Sequence, residues 1–454
     1  MITIGYPPDQ VGGTEVYVAG LVEALQQQGH SCAVAYIQAV DDPAAADIQL
    51  ITRTHEETPV YIIQVNALTQ KLEFLIFDSQ LRTRLIAEFR DIVNRVRPDV
   101  VHVHPLQLGF ESYLIEELNE LGHKVVLTYH SSTTTCARGD LIYMGTKVCD
   151  GLVRQDRCTK CLYHQKSVPA PIAAALSKTP VSWFRWLHSR LSAAATFKKL
   201  RSFMSVPLII QERRQAWQRA TRNSRRIVAV CEWVRDTIIK NGVPPEQVDF
   251  SRHGLRFGAE HGNGYQPAGR TRFGYLGRIS PEKGIGPLLN VLERMPRQHE
   301  YEFEFCSSTF KSGNRRPEEE RLVQAIHLLS ARDGRVRVLD GVSDSRLRAV
   351  LGKWDALVVP SLWLESGPQV VYESFAAHTP VVGSRLGGIA ELVREGETGF
   401  LCEPGSETEL LNLLQRCAER PADLRSLRKK IPPVRTTNEV GTDMLQVYNR
   451  ALRS

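Results

Sequence analysis

The sequence lacks any apolar run of about eighteen residues or more, so it predicts no transmembrane helix. It begins with the strand-like run MITIGY and shows no basic segment followed by a long apolar one, so no signal peptide is expected. Cysteine is scarce and odd in number, with nine residues in 454, which favours reduced thiols over a disulfide framework. These absences lead us to expect a cytoplasmic protein.

No short-period repeat is present. The apolar content of 42% and the charged content of 24% are typical of a globular protein. Because 454 residues exceed what one ordinary hydrophobic core holds, we expect two domains.

Positive charge is concentrated in one segment. Thirteen Lys or Arg residues and a single acidic residue, Glu212, lie between Gln165 and Arg226, so this segment has twelve positive charges in excess. Since the net charge of the whole chain is +7, the remainder carries an excess of five negative charges. A local excess of this size favours a local anionic partner over a generally basic protein.

Short β-branched runs alternate with helical patterns in both halves of the chain. SCAVAYI (31–37), DVVHVH (99–104) and HKVVLTYH (123–130) are examples in the first half. After a stretch rich in Gly and polar residues the alternation restarts, with runs such as ALVVPS and PVVGS. Strands that alternate with helices predict an α/β fold with parallel sheets covered on both faces.

These patterns predict the domain limits. We expect an N-terminal domain over residues 1–253, a linker at 254–270, a second α/β domain over 271–430, and a C-terminal helix in 431–454 that packs back on the first domain. Two such domains joined by a linker predict a cleft that faces the carboxyl ends of both sets of strands.

Two strand-to-helix turns are suited to phosphate. In GYLGRISPEKGIG, Arg278 and Lys283 stand at the mouth of a turn that precedes a helix, where cations and free N–H groups favour a diphosphate. Near the start, Gly12 and Gly13 precede a helix with Thr14 as a candidate cap, and tandem glycines let the backbone approach a ligand. The alternatives are a solvated loop with surface cations and an ordinary turn.

The stretch ESGPQVVYE places two carboxylates eight positions apart. Pro368 suits the first turn of a helix, which leaves Glu365 in the loop before it and Glu373 in the second turn. A loop carboxylate at the carboxyl end of a strand can accept hydrogen bonds from sugar hydroxyls, so the pair suits a ligand with hydroxyls and phosphates. The alternative is an unrelated surface glutamate and a helix-favouring one.

Together these motifs resemble those of the family 4 glycosyltransferases, which have the GT-B fold of two Rossmann-like α/β domains facing a central cleft. The matching segments are GGTE, GRISPEKG, PSLWLESGPQVVYE and PVVGSRLGGIAELVREGETGFLCEPG. The resemblance implies retaining transfer of a sugar from a UDP- or GDP-sugar to a saccharide or lipid-linked acceptor, without a catalytic metal. It also implies a role in the synthesis of cell-surface polysaccharide or glycolipid.

The resemblance also implies residue roles. Glu365 corresponds to the residue that contacts the donor sugar and Glu373 to the one that holds the ribose hydroxyls. Arg278 and Lys283 correspond to the cations on the diphosphate, and His130 to a histidine beside the donor sugar, although a lone histidine at a strand end is commonly structural. The expected donor contacts also include Gly12, Gly13, Ser366 and Gly367.

Four cysteines fall in one loop-like region. Twelve, eight and two residues separate Cys136, Cys149, Cys158 and Cys161, and only the last pair has the close spacing that zinc favours. Four thiolates would make a closed structural zinc site that stabilises a loop without its own core, with His164 as a reserve ligand. An Fe–S cluster and four ordinary thiols are the alternatives.

A basic amphipathic stretch follows, inside an insertion at about 131–225. Apolar and basic side chains alternate there: Trp183, Phe184, Trp186, Leu187, Leu191, Phe197, Leu200 and Phe203 with Arg185, Arg190, Lys198, Lys199 and Arg201. This composition predicts docking to an anionic membrane surface at its cytoplasmic face. The alternatives are a helix packed on the sheet with a solvated basic face, and a patch for an anionic saccharide or nucleic acid.

Two competing functions stay open at this point. One is a sugar-nucleotide epimerase with the same fold, which the pair of motifs ESGPQVVYE and GRISPEKG argues against. The other is a nucleic-acid-binding protein stabilised by a metal ion. This interpretation leaves the phosphate and carboxylate motifs unexplained. The sequence does not identify the donor sugar, the base, the acceptor or the linkage.

Overall fold

The chain divides into two compact units. Unit 1 comprises Met1–Arg252 together with Asn438–Ser454, and unit 2 comprises His253–Thr437. The computed structural model describes residues 1–9, 12–42, 44, 46–67, 78–104, 109–190, 198–256, 265, 267–313, 315–342 and 344–453. Much of the predicted linker at 254–270 lies outside the described residues, as do Leu191, Phe197 and the side chains of Lys198 and Lys199.

Unit 1 is built on a sheet of eight described strands. Its strands and a separate hairpin are β1 (Ile2–Thr3), β2 (Val34–Val40), β3 (Ile48–His55), β4 (Thr58–Asn66), β5 (Val100–Val103), β6 (Lys124–Tyr129), β7 (Ile142–Tyr143), β8 (Lys147–Val148), β9 (Arg226–Ala229) and β10 (Val248–Phe250). The order in the sheet is β10–β9–β6–β5–β1–β2–β4–β3, and its neighbours run parallel except for β3 and β4. Strands β7 and β8 form the antiparallel hairpin.

Unit 2 contains a second sheet, of six described strands that all run parallel. They are β11 (Thr271–Leu276), β12 (Tyr301–Ser307), β13 (Val336–Asp340), β14 (Ala356–Val359), β15 (Val381–Ser384) and β16 (Gly399–Cys402). Their order is β13–β12–β11–β14–β15–β16. The chain moves outward from β11 to one edge and returns at β14 toward the other, so a topological switch point lies between β11 and β14. Ligands of open α/β sheets bind outside the carboxyl ends of the strands at such a point.

Helices cover both faces of each sheet. They are α1 (Gly13–Gln27), α2 (Ser79–Val96), α3 (Phe110–Glu120), α4 (Gln155–Gln165), α5 (Ala170–Lys178), α6 (Val181–Arg190), α7 (Lys198–Met204), α8 (Val206–Asn223), α9 (Glu232–Lys240), α10 (Ile285–Arg294), α11 (Pro317–Arg332), α12 (Asp344–Lys353), α13 (Gln369–Ala376), α14 (Gly387–Leu392), α15 (Glu407–Glu419), α16 (Pro421–Leu427) and α17 (Thr437–Arg453). No helix within these described ranges combines the length and the apolar character that spanning a bilayer requires.

Buried apolar side chains on the two faces of the unit 1 sheet form separate cores. One core joins α2 and α3 to the sheet through residues such as Phe89 and Leu114, and the other joins α1 and α17 through residues such as Leu21 and Met444. In unit 2 the two faces are likewise packed, one of them by α10, α11 and α15. The predicted α/β class with parallel sheets covered on both faces is therefore confirmed.

Local details differ from the sequence prediction. Strand β2 begins at Val34, three residues after the predicted start, and the β3–β4 and β7–β8 pairs were not predicted. Thr14 does not cap α1, because the helix already begins at Gly13 and Gly12 is its N-cap. Pro368 is the N-cap of α13 rather than a residue of its first turn, since its ψ of 107° is extended.

Candidate functional site

An ion pair joins the loops that follow β11 and β14. Lys283 Nζ lies 2.6 Å from Oε1 of Glu365, and the backbone N–H of Leu362 donates to the carbonyl oxygen of Glu282 at 2.9 Å. Because β11 and β14 are neighbours, their carboxyl ends bring both loops to the switch point of the unit 2 sheet. The structure thus places two of the predicted site residues, Lys283 and Glu365, in direct contact.

Glu365 has two further partners that sequence reasoning missed. The hydroxyl of Ser361 and the indole N–H of Trp363 each donate to the same Oε1 at 2.8 Å. Glu365 is 7% exposed, so three donors converge on one oxygen of a buried carboxylate. Charge-assisted hydrogen bonds of this kind fix the orientation of a carboxylate. The signal available in the sequence was the position of Ser361 and Trp363 in SLWLE, at the end of a strand.

Glycines allow the backbone around Glu365 to pack closely. The N–H of Gly388 donates to the carbonyl oxygen of Glu365 at 2.7 Å, and a Cβ on Gly388 would lie 2.8 Å from that oxygen. On the other side, Nδ1 of His253 lies 3.1 Å from the carbonyl oxygen of Gly367, and a Cβ on Gly367 would lie 2.5 Å from Nδ1. Burial lowers the pKa of His253 to about 4. This histidine was not predicted, since nothing in its sequence neighbourhood marks it.

The loop after β11 also depends on a close approach of backbone. Gly284 has φ +74°, and a Cβ there would lie 1.9 Å from the carbonyl oxygen of Pro360. The hydroxyl of Tyr275 donates to the carbonyl oxygen of Arg278 at 2.6 Å and so fixes the backbone in the first half of this loop. Burial raises the pKa of Tyr275. The side chain of Arg278 is exposed, so its guanidinium is accessible from solvent.

Glu373 lies in α13, beyond the loop that contains Ser366. Of the predicted inward-facing residues of this helix, Val371, Ser374 and Phe375 are buried and Val370 is half-buried. Glu373 is half-buried, as is Ser366. Its role on the ribose hydroxyls stays a prediction.

In unit 1, His130 follows β6 and is buried against a second histidine. Its Nε2 lies 2.7 Å from Nδ1 of His104, which follows β5, and the ring of Tyr17 packs against both imidazoles with centroid distances of 4.8 and 5.9 Å. Burial is the main cause that lowers the pKa of His104 well below its ordinary value. His104 was not predicted, and the role of His130 beside a donor sugar stays a prediction.

Gly12 and Gly13 stand at the start of α1, in the connection that follows β1. The N–H of Val16 donates to the carbonyl oxygen of Gly12 at 3.0 Å. A Cβ on Gly12 would lie 2.6 Å from the carboxylate of Glu15, whereas a Cβ on Gly13 would meet nothing within 4 Å. The room in front of Gly13 is compatible with the predicted approach of a ligand, which no contact in this structure tests.

The four predicted metal ligands line one cavity of about 30 Å³. They are Cys136, Cys149, Cys158 and Cys161, and all are free thiols. His164, the predicted reserve ligand, is exposed and is not among the lining residues. Within the described part of the chain, no group of three or more His, Cys, Asp or Glu side chains is arranged to hold a metal ion.

The described residues of the basic amphipathic stretch lie mainly in α6, in α7 and at the start of α8. Phe184 is fully buried against Met204 and Leu208, so it belongs to the core and not to the predicted outer face. Trp183 and Trp186 remain on the surface, 44% and 56% exposed. The outer face of α6 therefore carries two aromatic side chains among basic residues.

Two family models match this chain, one in each unit. Residues 11–158 match "Glycosyltransferase Family 4" and residues 261–432 match "Glycosyl transferases group 1". The second match contains the loops of Arg278, Lys283, Glu365 and Glu373. The chain therefore belongs to these glycosyltransferases, and the family resemblance of its motifs is confirmed.

Individual relatives support the assignment. Glycogen synthase from Mycobacterium tuberculosis is 28% identical over 225 residues, which are 48% of this chain and 49% of that protein. The chain spans about half the length of the curated relatives it matches.

Among solved structures, sucrose-phosphate synthase from Thermosynechococcus elongatus has a TM-score of 0.63 at 17% identity, over 99% of this chain and 98% of that one. HepE from Anabaena, in complex with UDP-glucose, has a TM-score of 0.56 at 14% identity, over 100% of this chain and 98% of that one. The GT-B fold class implied by the motifs is thereby confirmed.

Proposed function

We propose that the protein is a retaining glycosyltransferase that moves a sugar from a nucleoside-diphosphate sugar to a saccharide or lipid-linked acceptor. The observation that carries the proposal is the Lys283–Glu365 pair at the switch point of the unit 2 sheet, with the exposed side chain of Arg278 in the same loop as Lys283. UDP-glucose bound to a protein with the same fold supports a donor of this class. A role in cell-surface polysaccharide or glycolipid synthesis is part of the same proposal.

The pair suits donor binding because an ammonium group has three N–H donors. Lys283 uses one of them on Glu365, so it can hold the carboxylate and a phosphate oxygen together. Glu365, fixed by Ser361 and Trp363, then accepts from hydroxyls of the donor sugar. Glu373 accepts from the ribose hydroxyls. Lys283, Glu365 and Glu373 would thus bind both ends of one sugar nucleotide.

In the transfer step the bond between the sugar and the diphosphate breaks as the anomeric carbon becomes oxocarbenium-like. Arg278 and Lys283 stabilise the negative charge that develops on the departing diphosphate. The acceptor hydroxyl attacks from the face that the diphosphate leaves, and its proton passes to a phosphate oxygen, so the configuration is retained. Glu365 is not assigned as a nucleophile, because the two-carboxylate logic of hydrolases does not transfer to this reaction.

A thermal-shift panel of UDP-, GDP- and ADP-sugars tests the donor site. The correct donor raises the Tm, because it binds the folded state alone. We expect Glu373→Ala to abolish this shift and Arg278→Ala to suppress transfer. The matched controls are Glu293→Ala and Arg297→Ala, exposed residues in and just after α10, which should behave as wild type. Full donor binding and transfer in both site variants would refute the assignment.

We propose in addition that the outer face of α5 and α6 docks on an anionic membrane. The apolar side chains exposed there and on the neighbouring α7 are Ile172, Trp183, Trp186 and Leu200, with exposures of 51%, 44%, 56% and 40%. They lie in the segment with twelve excess positive charges, and aromatic side chains among cations favour the interface of an anionic bilayer. Such docking would bring the enzyme to a lipid-linked acceptor.

Vesicle sedimentation tests the docking. We expect the protein to bind vesicles of phosphatidylcholine mixed with phosphatidylglycerol, and to stay unbound with phosphatidylcholine alone. The double variant Trp183→Ser/Trp186→Ser should lose most of this binding. Leu328→Ser, which removes a side chain 57% exposed in unit 2, should keep it. Equal binding by both variants, or salt-sensitive binding to nucleic acid without vesicle binding, would contradict the proposal.

A further inference from the structure

Four cysteines from separate pieces of unit 1 converge on one cavity, which we call the cysteine cavity. Cys136 follows the short turn Ser132–Thr134, Cys149 follows strand β8, and Cys158 and Cys161 lie one turn apart on α4. Side chains three positions apart project from the same face of a helix, so the last two sulfurs point the same way. Seven other residues complete the lining: Ala137, Arg138, Leu141, Ile142, Tyr143, Arg157 and Leu162.

Backbone N–H groups donate to two of the four sulfurs. The N–H of Met144, at the tip of the β7–β8 hairpin, donates to Sγ of Cys161 at 3.2 Å, and that of Arg154 donates to Sγ of Cys158 at 3.4 Å. A neutral thiol is a weak acceptor, whereas a thiolate is a strong one, so this arrangement of donors suits charged sulfur.

We propose that the cysteine cavity binds one zinc ion through the thiolates of Cys136, Cys149, Cys158 and Cys161. Four thiolates around Zn²⁺ form a closed tetrahedral site of the structural kind, with no open position for catalysis. The inference goes beyond the proposed transfer reaction, which uses other residues. It concerns how this part of unit 1 is held together.

The charges around the cavity fit such a site. Zinc with four thiolates carries net negative charge, and the guanidinium groups of Arg138 and Arg157 line the same cavity. Arg138 is paired with Asp140 at 2.8 Å, and Arg157 is paired with Asp150. The two guanidinium groups would therefore offset part of the negative charge of a zinc ion with four thiolates.

The geometry also predicts a movement on binding. Zinc requires each sulfur to lie about 2.3 Å from the ion. In the described residues no three candidate ligands are that close to a common point, and the cavity of about 30 Å³ has room for them to approach. Metal binding should therefore draw the β7–β8 hairpin toward α4.

A metal ion would cross-link the segment 136–154, which has almost no buried apolar side chains. Every residue of 136–154 is described, and Leu141 is the only apolar side chain in this stretch that is buried. A segment with so little core of its own depends on its ends and on cross-links for order. The binding free energy of a structural zinc is folding free energy, so the ion would hold the hairpin in place.

Metal analysis of the full-length protein, purified without chelators, tests the proposal. We expect about one zinc per chain, released when a mercurial reagent modifies the thiols. Replacement by Co²⁺ should give the intense thiolate-to-metal absorption of a tetrahedral site. Cys158→Ser and Cys149→Ser should reduce the zinc content to a small fraction. Cys32→Ser, which removes a half-buried thiol of unit 1 outside the cavity, should leave it unchanged.

Three results would overturn the proposal. They are a wild-type protein without bound metal, a protein that holds iron and sulfide instead, and a zinc content that Cys158→Ser leaves intact. If the serine variants are insoluble, the cobalt spectrum of the wild-type chain decides the matter by itself. A Co²⁺ derivative without thiolate absorption then overturns the proposal.

Discussion

At the scale of single residues, the orientation of Glu365 is set by hydrogen bonds from three different side chains. Lys283, Ser361 and Trp363 all donate to Oε1, at 2.6, 2.8 and 2.8 Å. The ammonium group of Lys283 also lies 5.5 Å from the centre of the Trp363 ring. Trp363 therefore acts on both members of the ion pair, as a donor to the carboxylate and as an aromatic face for the cation.

Trp363→Phe removes one of these donors and keeps an aromatic ring. Hydrogen bonds to charged groups contribute about 1.5–3 kcal/mol, so we expect the Kd for the donor nucleotide sugar to rise roughly tenfold. Trp354→Phe is the matched control, because its indole N–H donates to Glu304 at 3.0 Å elsewhere in the same unit. Calorimetric titration of both variants checks the prediction. A loss of affinity in Trp354→Phe as large as that in Trp363→Phe would show a general effect of lost stability.

His253 gives the protein a predictable dependence on pH. Burial is the main cause that lowers its pKa to about 4, and the neighbouring Arg435 acts in the same direction, whereas an exposed histidine has a pKa near 6.5. The unfolded state therefore binds the proton more readily, so stability present above pH 6.5 is lost as the pH falls toward 4. Between pH 7.5 and 5 the loss amounts to about 2 kcal/mol.

Urea denaturation of wild type and His253→Asn at these two pH values measures this contribution. Asparagine keeps an N–H donor for the carbonyl oxygen of Gly367 but does not titrate. The variant should lose less stability between the two pH values, while His30→Asn, at an exposed position, should lose as much as wild type. The buried His102 and His104 contribute equally in all three proteins. Identical slopes for wild type and His253→Asn would disprove the prediction.

At the scale of elements, the sequence predicts best the strands that are buried on both faces. β6, β14 and β15 are continuous apolar runs because helices cover both sides of them, and such runs are readily identified. The edge pair β3–β4 was not predicted. No residue of β3 is fully buried, and the position of this strand depends on its pairing with β4. The hairpin β7–β8 has only two residues in each strand, which is too short for any pattern.

The same reasoning explains which site residues could be predicted. Lys283 and Glu365 belong to motifs at the ends of two strands, and the neighbouring position of those strands brings them together. Ser361, Trp363 and His253 were missed, because their contacts depend on how the loops fold. Likewise, the cysteine spacing identified four side chains that line one cavity, but not the hairpin that positions them.

Gly284, in the turn between β11 and α10, is required to be glycine, whereas Gly286, in the first turn of α10, is not. An alanine at Gly284 would adopt an unfavourable positive φ at a cost of about 1–2 kcal/mol, and its Cβ would clash with the carbonyl oxygen of Pro360. We expect Gly284→Ala to lower the Tm and to displace the Lys283–Glu365 pair, with weaker donor binding. Gly286→Ala is the control, because a Cβ there meets nothing and alanine stabilises a helix by up to about 1 kcal/mol. If both variants had the same Tm, the proposed requirement would be wrong.

At the scale of the whole molecule, unit 1 is completed by a segment distant in sequence. Helix α17 contributes Val440, Met444 and Val447 to the core that also contains Leu21 of α1. Its polar residues are held as well, since Tyr448 Oη lies 2.8 Å from Nδ1 of His102 and Arg450 lies 2.7 Å from Asp249. The first 252 residues therefore leave an apolar face of their sheet that α17 covers.

Met444→Ala tests how far unit 1 depends on this helix. Met444 is fully buried, so the truncation should destabilise unit 1 by about 2–5 kcal/mol, the usual range for loss of a large core side chain with the cavity it leaves. Leu452→Ala, at a position of the same helix that is 45% exposed, should change stability by less than about 0.5 kcal/mol. The fluorescence of Trp217, a buried residue of unit 1, follows its unfolding by denaturant when compared with a Trp217→Phe reference. A Met444→Ala protein as stable as Leu452→Ala would mean that α17 contributes little to unit 1 beyond its hydrogen bonds to His102 and Asp249.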